Sequence, residues 1–161
     1  MNKFYVIANS QKDMDFAMAD KISEYIIAKG GTCVCQKRDI GKEGIKYNSA
    51  DASLIPEGTE CVIVLGGDGT LIQAARDLSS INVPVFGVNI GTLGYLTEID
   101  MEQAFPAIDR IMADEYNIDT RMILRGRVYR GDDKLYSDIA LNDIVINRMG
   151  SLKIINFDIF V

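Results

Sequence analysis

CVIVLGGDGTLIQAAR, residues 61–76, is the stretch of sequence that decides the fold. It opens with five apolar residues in a row, which favours a strand at the centre of a parallel sheet with both faces covered. Three glycines and one carboxylate follow between Gly66 and Thr70, and a helical pattern begins near Thr70. Each glycine costs backbone entropy on folding, so the turn predicts a function that needs bare backbone.

The segments on either side predict the rest of an α/β unit with a parallel sheet. Further strands are indicated by FYVIA (4–8), TCVC (32–35) and VPVFGVNIG (83–91). A helical pattern runs from Met14 to Gly30, and Asp100 can cap a second one that Pro106 should bend or delay. Ligands of parallel sheets bind at the carboxyl ends of the strands, where both glycine turns are expected.

The pattern changes near residues 116–120. Three strands are predicted after it, in MILRGRVYR (122–130), KLYSDIALNDIVINR (134–148) and LKIINFDIFV (152–161), with hairpin turns at RGDDK and RMGSL. We therefore expect an α/β nucleotide-binding domain over 1–116 and the beginning of a β-rich, sandwich-like domain over 117–161. Three strands without closing partners are poorly buried, so we expect the chain to be part of a longer protein.

Composition narrows the class of partner. The net charge of −6 over 161 residues argues against nucleic acid, although backbone N–H groups can hold a phosphate without net positive charge. Apolar runs are too short for a membrane span or a signal peptide, which predicts a cytoplasmic protein. Three cysteines and no histidine are too few for a zinc site, and Cys33 and Cys35 should share one face of a strand.

The glycine turn itself suggests phosphate chemistry. Glycines at a strand-to-helix turn let a phosphate approach the backbone, and the helix supplies free N–H groups. Asp68 would repel a phosphate unless it binds Mg²⁺ or takes a proton from an attacking hydroxyl, and both roles fit phosphoryl transfer. The turn is neither a Walker A loop nor a GxGxxG fingerprint. The alternative is a tight turn in which Asp68 only caps the helix.

Three stretches together carry a family resemblance. GGDGTLIQAAR, FGVNIGTLGYLTEID and ALNDIVINR resemble the NAD kinases, which phosphorylate NAD to NADP. GGDGT alone marks a wider superfamily that includes diacylglycerol and sphingosine kinases, whereas Asn89–Glu98 resembles the NAD kinases specifically. The resemblance covers about the first half of a typical member, and the glycine-rich segment that completes the family's dinucleotide site is not in this sequence. It implies that the chain alone has little or no kinase activity.

The resemblance also implies roles for the residues of the two turns. Asp68 would be the catalytic carboxylate, taking the proton from the 2′-hydroxyl of the adenosine ribose as that oxygen attacks the γ-phosphorus of ATP. The turns would bind phosphate and nucleotide through Gly66, Gly67, Gly69, Thr70, Asn89, Gly91 and Tyr95. Tyr95 has the alternative of packing in the core.

Three residues of the second domain complete the implied site. Asn142 and Asp143 match an Asn-Glu/Asp pair that contacts NAD, and a carboxylate beside an amide suits ribose hydroxyls and amide edges. The alternative is a turn or bulge inside a strand. Lys153 falls where the family often has a basic or polar NAD contact, with a solvated strand residue as its alternative.

The resemblance implies ATP as phosphoryl donor, Mg²⁺ or another divalent metal on its phosphates, NAD as substrate and a homo-oligomer, with no nucleic-acid or membrane partner. No metal ligands can be assigned beyond Asp68. Two alternatives stay open at this point. One is a lipid kinase of the same superfamily. The other is a nucleotide-binding or assembly fragment without catalysis, whose exposed sheet edge would pair with another chain.

Overall fold

The computed structural model describes residues 1–36, 52–91, 94–97, 99–147, 156 and 158–160. Contacts within the chain divide it into two units, Met1–Arg121 and Met122–Val161. The first unit contains strands β1 (Lys3–Ala8), β2 (Thr32–Gln36), β3 (Cys61–Gly66), β4 (Val85–Asn89) and β5 (Ile99–Asp100) and helices α1 (Ala17–Ala28), α2 (Asp68–Asp77) and α3 (Met101–Met112). The second contains strands β6 (Leu124–Arg130) and β7 (Asp133–Ala140).

The five strands of the first unit form one parallel sheet in the order β2-β1-β3-β4-β5. The central strand β3 is buried along all six of its residues, as its unbroken apolar run predicts. The sequence prediction of an α/β unit with a parallel sheet is therefore confirmed.

Helices cover both faces of this sheet. Successive side chains of each strand point to opposite faces, so neighbouring residues of one strand pack against different helices. On one face, Val6 and Ile63 pack with the buried sides of α1 and α3. On the other face, Tyr5 and Val64 pack with Ala74 of α2 and with Leu78, which directly follows that helix. The sheet is thus the middle of three packed layers, and this packing positions the residues that follow the strand ends.

Helix α1 begins later than its apolar spacing predicts. Met14 lies in a short 3-10 turn and is 75% exposed, and Asp15 and Phe16 take left-handed backbone conformations with φ of 58° and 57°. The buried Asp13 carboxylate accepts hydrogen bonds from the N–H groups of Met18 and Ala19, both at 2.9 Å. These bonds satisfy N–H groups of the first turn of α1, so Asp13 caps the helix from three residues before its N-cap position, Phe16.

Helix α3 begins where Asp100 caps it. The Asp100 side chain accepts a hydrogen bond from the Gln103 N–H at 3.0 Å, and the helix runs through Pro106 to Met112. The prediction that Pro106 delays the helix is therefore wrong. A proline inside a helix removes one backbone donor, and the capped first turn and the buried face of α3 outweigh that loss.

The second unit is built on an antiparallel hairpin of β6 and β7. Gly131, with φ of +59°, lies in the turn between them, so the predicted hairpin at RGDDK is confirmed. Strand β7 ends at Ala140, opposite the first residue of β6, and residues 141–147 form no strand, so the prediction of a strand through 148 is wrong. The next predicted turn and most of the last predicted strand lie outside the described residues, and residues 156 and 158–160 are not in a strand.

Cys33 and Cys35 lie on the same side of β2 and pack against the core on the α1 face, which confirms their predicted arrangement. Among the described residues, no group of three or more acidic or cysteine side chains is placed to hold a metal ion. None of the helices in this part of the chain has the length and apolar character needed to cross a lipid bilayer.

Candidate functional site

The two glycine turns lie side by side at the carboxyl edge of the sheet. Gly66 ends β3 and is paired in register with Asn89, which ends β4. The Ile90 N–H donates to the Gly66 carbonyl oxygen at 2.8 Å, which fixes the start of the second turn against the first. Asn89 is buried, with 2% of its surface exposed.

The three glycines of GGDGT differ in how much space a side chain would have at their positions. A Cβ atom on Gly66 would lie 2.5 Å from Cβ of Thr70, because the first turn of α2 folds back over the end of β3. A Cβ atom on Gly67 would meet the Lys12 Nζ at 2.9 Å, whereas one on Gly69 would meet nothing within 4 Å. Close approach of backbone and side chain therefore explains Gly66, and Gly69 leaves open space above the turn.

Asp68 is the first residue of α2, and its carboxylate turns away from that helix toward the second turn. Its Oδ2 accepts a hydrogen bond from the Tyr95 N–H at 2.8 Å. Its Oδ1 accepts from the Leu96 N–H, the Thr97 N–H and the Thr97 hydroxyl, each at 3.1 Å. Gly67 occupies the N-cap position, and no side-chain bond caps the helix there. The interpretation of Asp68 as a helix cap is therefore wrong.

The second turn is shaped to receive this carboxylate. A Cβ atom on Gly94 would overlap the Asp68 carboxylate and lie 2.6 Å from its Oδ2. Gly91 has φ of +120°, a conformation that favours glycine. The Thr97 side chain is fully buried and packs near Gly87, where a Cβ atom would come within 3.1 Å of the Thr97 Cγ2. Glycine at these positions lets the two turns close on one another.

The four donors hold Asp68 in its charged form. The hydrogen bond from the Tyr95 N–H, followed by those from Leu96 and Thr97, lowers the pKa of the Asp68 carboxyl below its ordinary value. The bonds are unevenly shared, since Oδ1 accepts three and Oδ2 accepts one among the described residues. Oδ2 accepts a single hydrogen bond among the described residues, so it keeps a lone pair that can accept another.

The structure adds two residues to this edge that the sequence interpretation missed. Asn9 follows β1, which neighbours β3, and its Nδ2 donates to the Thr70 hydroxyl at 3.1 Å. Lys12 is exposed, with its Nζ close to both glycine turns: a Cβ atom on Gly67 would lie 2.9 Å from it, and one on Gly91 would lie 3.7 Å from it. The sequence held one signal for both residues, which is their position in the chain. They lie in ANSQKD, residues 8–13, which begins at the last residue of β1, the strand beside β3.

The remaining predicted site residues are distributed as follows. Tyr95 is 96% exposed, so the alternative of core packing is wrong. Asn142 and Asp143 are exposed and follow β7 in the second unit, which also excludes their being inside that strand. Lys153 lies outside the described residues. One edge of the first unit thus brings together Gly66, Gly67, Asp68, Gly69, Thr70, Asn89, Gly91 and Tyr95.

Known proteins resemble the chain in sequence and in fold. The ATP-NAD kinase N-terminal domain matches residues 4–116. The chain is 50% identical over 164 residues to the NAD kinase of Lachnospira eligens and 46% identical over 161 residues to that of Agathobacter rectalis, in each case across 100% of this chain and 55% of the relative. It therefore spans about half the length of the curated relatives it matches.

A crystal structure of yeast NADH kinase complexed with NADH has a similar fold. The TM-score is 0.66 at 17% sequence identity, over 88% of this chain and 47% of that one, so this likeness concerns the fold alone. The family match covers well over half of the chain and includes both glycine turns. The chain belongs to the NAD kinase family.

Proposed function

We propose that this chain supplies the phosphoryl-transfer edge of a NAD kinase, in which the 2′-hydroxyl of the adenosine ribose attacks the γ-phosphorus of ATP and ADP leaves. The observation that supports this most directly is the Asp68 carboxylate held between the two glycine turns. Both turns lie within the region that matches the family. The NAD kinase relatives favour a dinucleotide acceptor over a lipid.

Asp68 acts as the general base through Oδ2. Three donors occupy Oδ1 and orient the carboxylate, while Oδ2 accepts only the Tyr95 N–H among the described residues. The lowered pKa weakens Asp68 as a base but keeps it ionised and aimed at neutral pH. Its contribution is therefore a fixed acceptor for the hydroxyl proton as the oxygen–phosphorus bond forms, with orientation gained at the expense of basicity.

The phosphates bind at the N-terminus of α2. The first N–H groups of a helix have no partner within it, and the glycine backbone leaves them accessible to an anion. Above Gly69 the structure offers open space, where a side chain would otherwise stand. Mg²⁺, which commonly binds through one or two carboxylates plus substrate phosphates, would neutralise charge on the transferred group. The Thr70 hydroxyl, in the first turn of the same helix, accepts a hydrogen bond from the Asn9 side-chain amide at 3.1 Å.

Two residues of the second unit, Asn142 and Asp143, are proposed to contact NAD, as the family resemblance implies. Asn142 and Asp143 are exposed there, which leaves the amide and the carboxylate available for the ribose and amide groups of NAD. Lys153 is proposed as a further contact. Assembly as a homo-oligomer and a place in the cytoplasm are likewise proposals that rest on the family resemblance and on the sequence.

The test is turnover by a chain completed to the length of its relatives. Residues 1–161 are joined to the part of the Lachnospira eligens NAD kinase that lies beyond the matched region, and NADP formation is followed with NAD, ATP and Mg²⁺. We expect the chimera to turn over, and Asp68→Asn to lower kcat by at least about 100-fold, because general-base catalysis contributes about 10²–10⁴-fold. The 161-residue chain alone should give little or no NADP.

Asp77→Asn is the matched control, since Asp77 ends the same helix and bonds the Gln73 side chain at 2.7 Å. This variant should keep the activity of the parent chimera. A chimera whose kcat is unchanged by Asp68→Asn would contradict the base assignment. A chimera that phosphorylates diacylglycerol but not NAD would favour the lipid kinase, and one that binds ATP without any turnover would favour the non-catalytic alternative.

A further inference from the structure

We propose that Lys12 is a phosphate ligand of the site, its ammonium binding a nucleotide phosphate where the two glycine turns meet. The inference rests on the proposed function and extends it to a residue in the loop that follows β1, beside the turns that follow β3 and β4. A Cβ atom on Gly67 would lie 2.9 Å from the Lys12 Nζ, and one on Gly91 would lie 3.7 Å from it. The charge therefore stands at the N-cap of α2 and beside the turn after β4 at the same time.

The segment that carries Lys12 is fixed by Asn9. The Asn9 carbonyl oxygen accepts from the N–H groups of Lys12 at 2.9 Å and Asp13 at 2.8 Å. The Asn9 N–H donates to the carbonyl oxygen of Leu65 in β3 at 2.9 Å, and its side-chain amide donates to the Thr70 hydroxyl at 3.1 Å. These bonds tie the Lys12 backbone to the glycine turn, so the position from which its side chain extends toward the two turns is fixed.

The charge of Lys12 is available to a ligand. The neighbouring carboxylate, Asp13, is buried and engaged by the N–H groups of Met18 and Ala19, and it does not pair with Lys12. Across the described residues, Lys12 enters no salt bridge. A cation at this edge would offset the repulsion between the Asp68 carboxylate and a bound phosphate, in a chain with a net charge of −6. Lys12 supplies it as a flexible point charge.

Two sources of phosphate fit this position: the triphosphate of ATP and the pyrophosphate of NAD. The 161-residue chain is titrated calorimetrically with inorganic tripolyphosphate, ATP and NAD in separate experiments. We expect Lys12→Met to lower the affinity for the phosphate ligand by about tenfold or more, as for the loss of one charge-assisted hydrogen bond, and Lys12→Arg to keep most of the affinity. The ligand whose affinity falls identifies the source of the phosphate.

Three checks separate a phosphate contact from a structural role. Lys21→Met removes an exposed lysine from α1 and should leave every affinity unchanged. The affinity of Lys12→Met should also depend less on salt concentration than that of the parent chain, because one screened charge is missing, and the melting temperature should stay the same.

Equal affinities of the parent chain and Lys12→Met for all three ligands would overturn the inference, and so would a parent chain that binds none of them. Neither result would decide the proposed function, which is judged separately by NADP formation in the chimera and its Asp68→Asn variant. A chimera without turnover combined with a Lys12-dependent affinity would overturn the kinase assignment and leave Lys12 as a phosphate ligand.

Discussion

Strand β3 and the β6–β7 hairpin both follow apolar sequence patterns, yet they differ in what covers them. Every residue of β3 is buried between helices on both faces. In the hairpin, Val128 is 52% exposed and Leu135 is 53% exposed. An apolar pattern therefore predicts a strand, while burial depends on which elements pack on it. Among the described residues, only the sheet of the first unit has helices packed on both faces, and the two glycine turns lie at its carboxyl edge.

The largest effect expected from this difference is the loss of a core side chain. Ile63→Ala in β3 should lower the free energy of unfolding by about 2–5 kcal/mol, because the removed methyl groups leave a cavity in a fully buried site. Val128→Ala in β6 should change it by at most about 0.5 kcal/mol, since water already reaches that side chain. Urea denaturation followed by circular dichroism measures both.

A Val128→Ala variant as unstable as Ile63→Ala would break the comparison. It would indicate that the hairpin is covered in solution, for instance by a second copy of the chain, and sedimentation of the parent chain at several concentrations would then show association.

A smaller effect separates two glycines of the same turn. Gly66→Ala should cost about 1–3 kcal/mol of stability, because its Cβ would be forced to within 2.5 Å of the Thr70 Cβ. Gly69→Ala places a methyl group in open space within a helix and should stabilise the chain by up to about 1 kcal/mol. Thermal melting of the two variants beside the parent gives the sign. Losses of similar size would mean that the turn needs flexibility at both positions rather than room at one.

The sequence was enough for the sheet and the two turns, because unbroken apolar runs and glycines between strand and helix are local signals. It failed where the outcome depends on distant contacts. The direction of the Asp68 carboxylate is set by N–H groups at residues 95–97, and no local pattern distinguishes that arrangement from a helix cap. The position of Lys12 depends on β1 lying beside β3, and the end of β7 depends on where β6 begins.

The smallest stability effect concerns Asp68, since water screens a partly exposed carboxylate. Its folded pKa is lowered by the N–H groups of the second turn, so the carboxylate stabilises the fold above the unfolded value of about 3.9. That contribution is lost as pH falls through the lower folded pKa, where the native carboxylate also takes up a proton. Asp68→Asn should therefore melt below the parent near pH 7, and the two melting temperatures should converge as the pH falls below the unfolded value and through the folded pKa. Asp132→Asn, in the hairpin turn, is the control and should follow the parent throughout. A gap between Asp68→Asn and the parent that persisted unchanged at low pH would mean that shape rather than charge holds the two turns together.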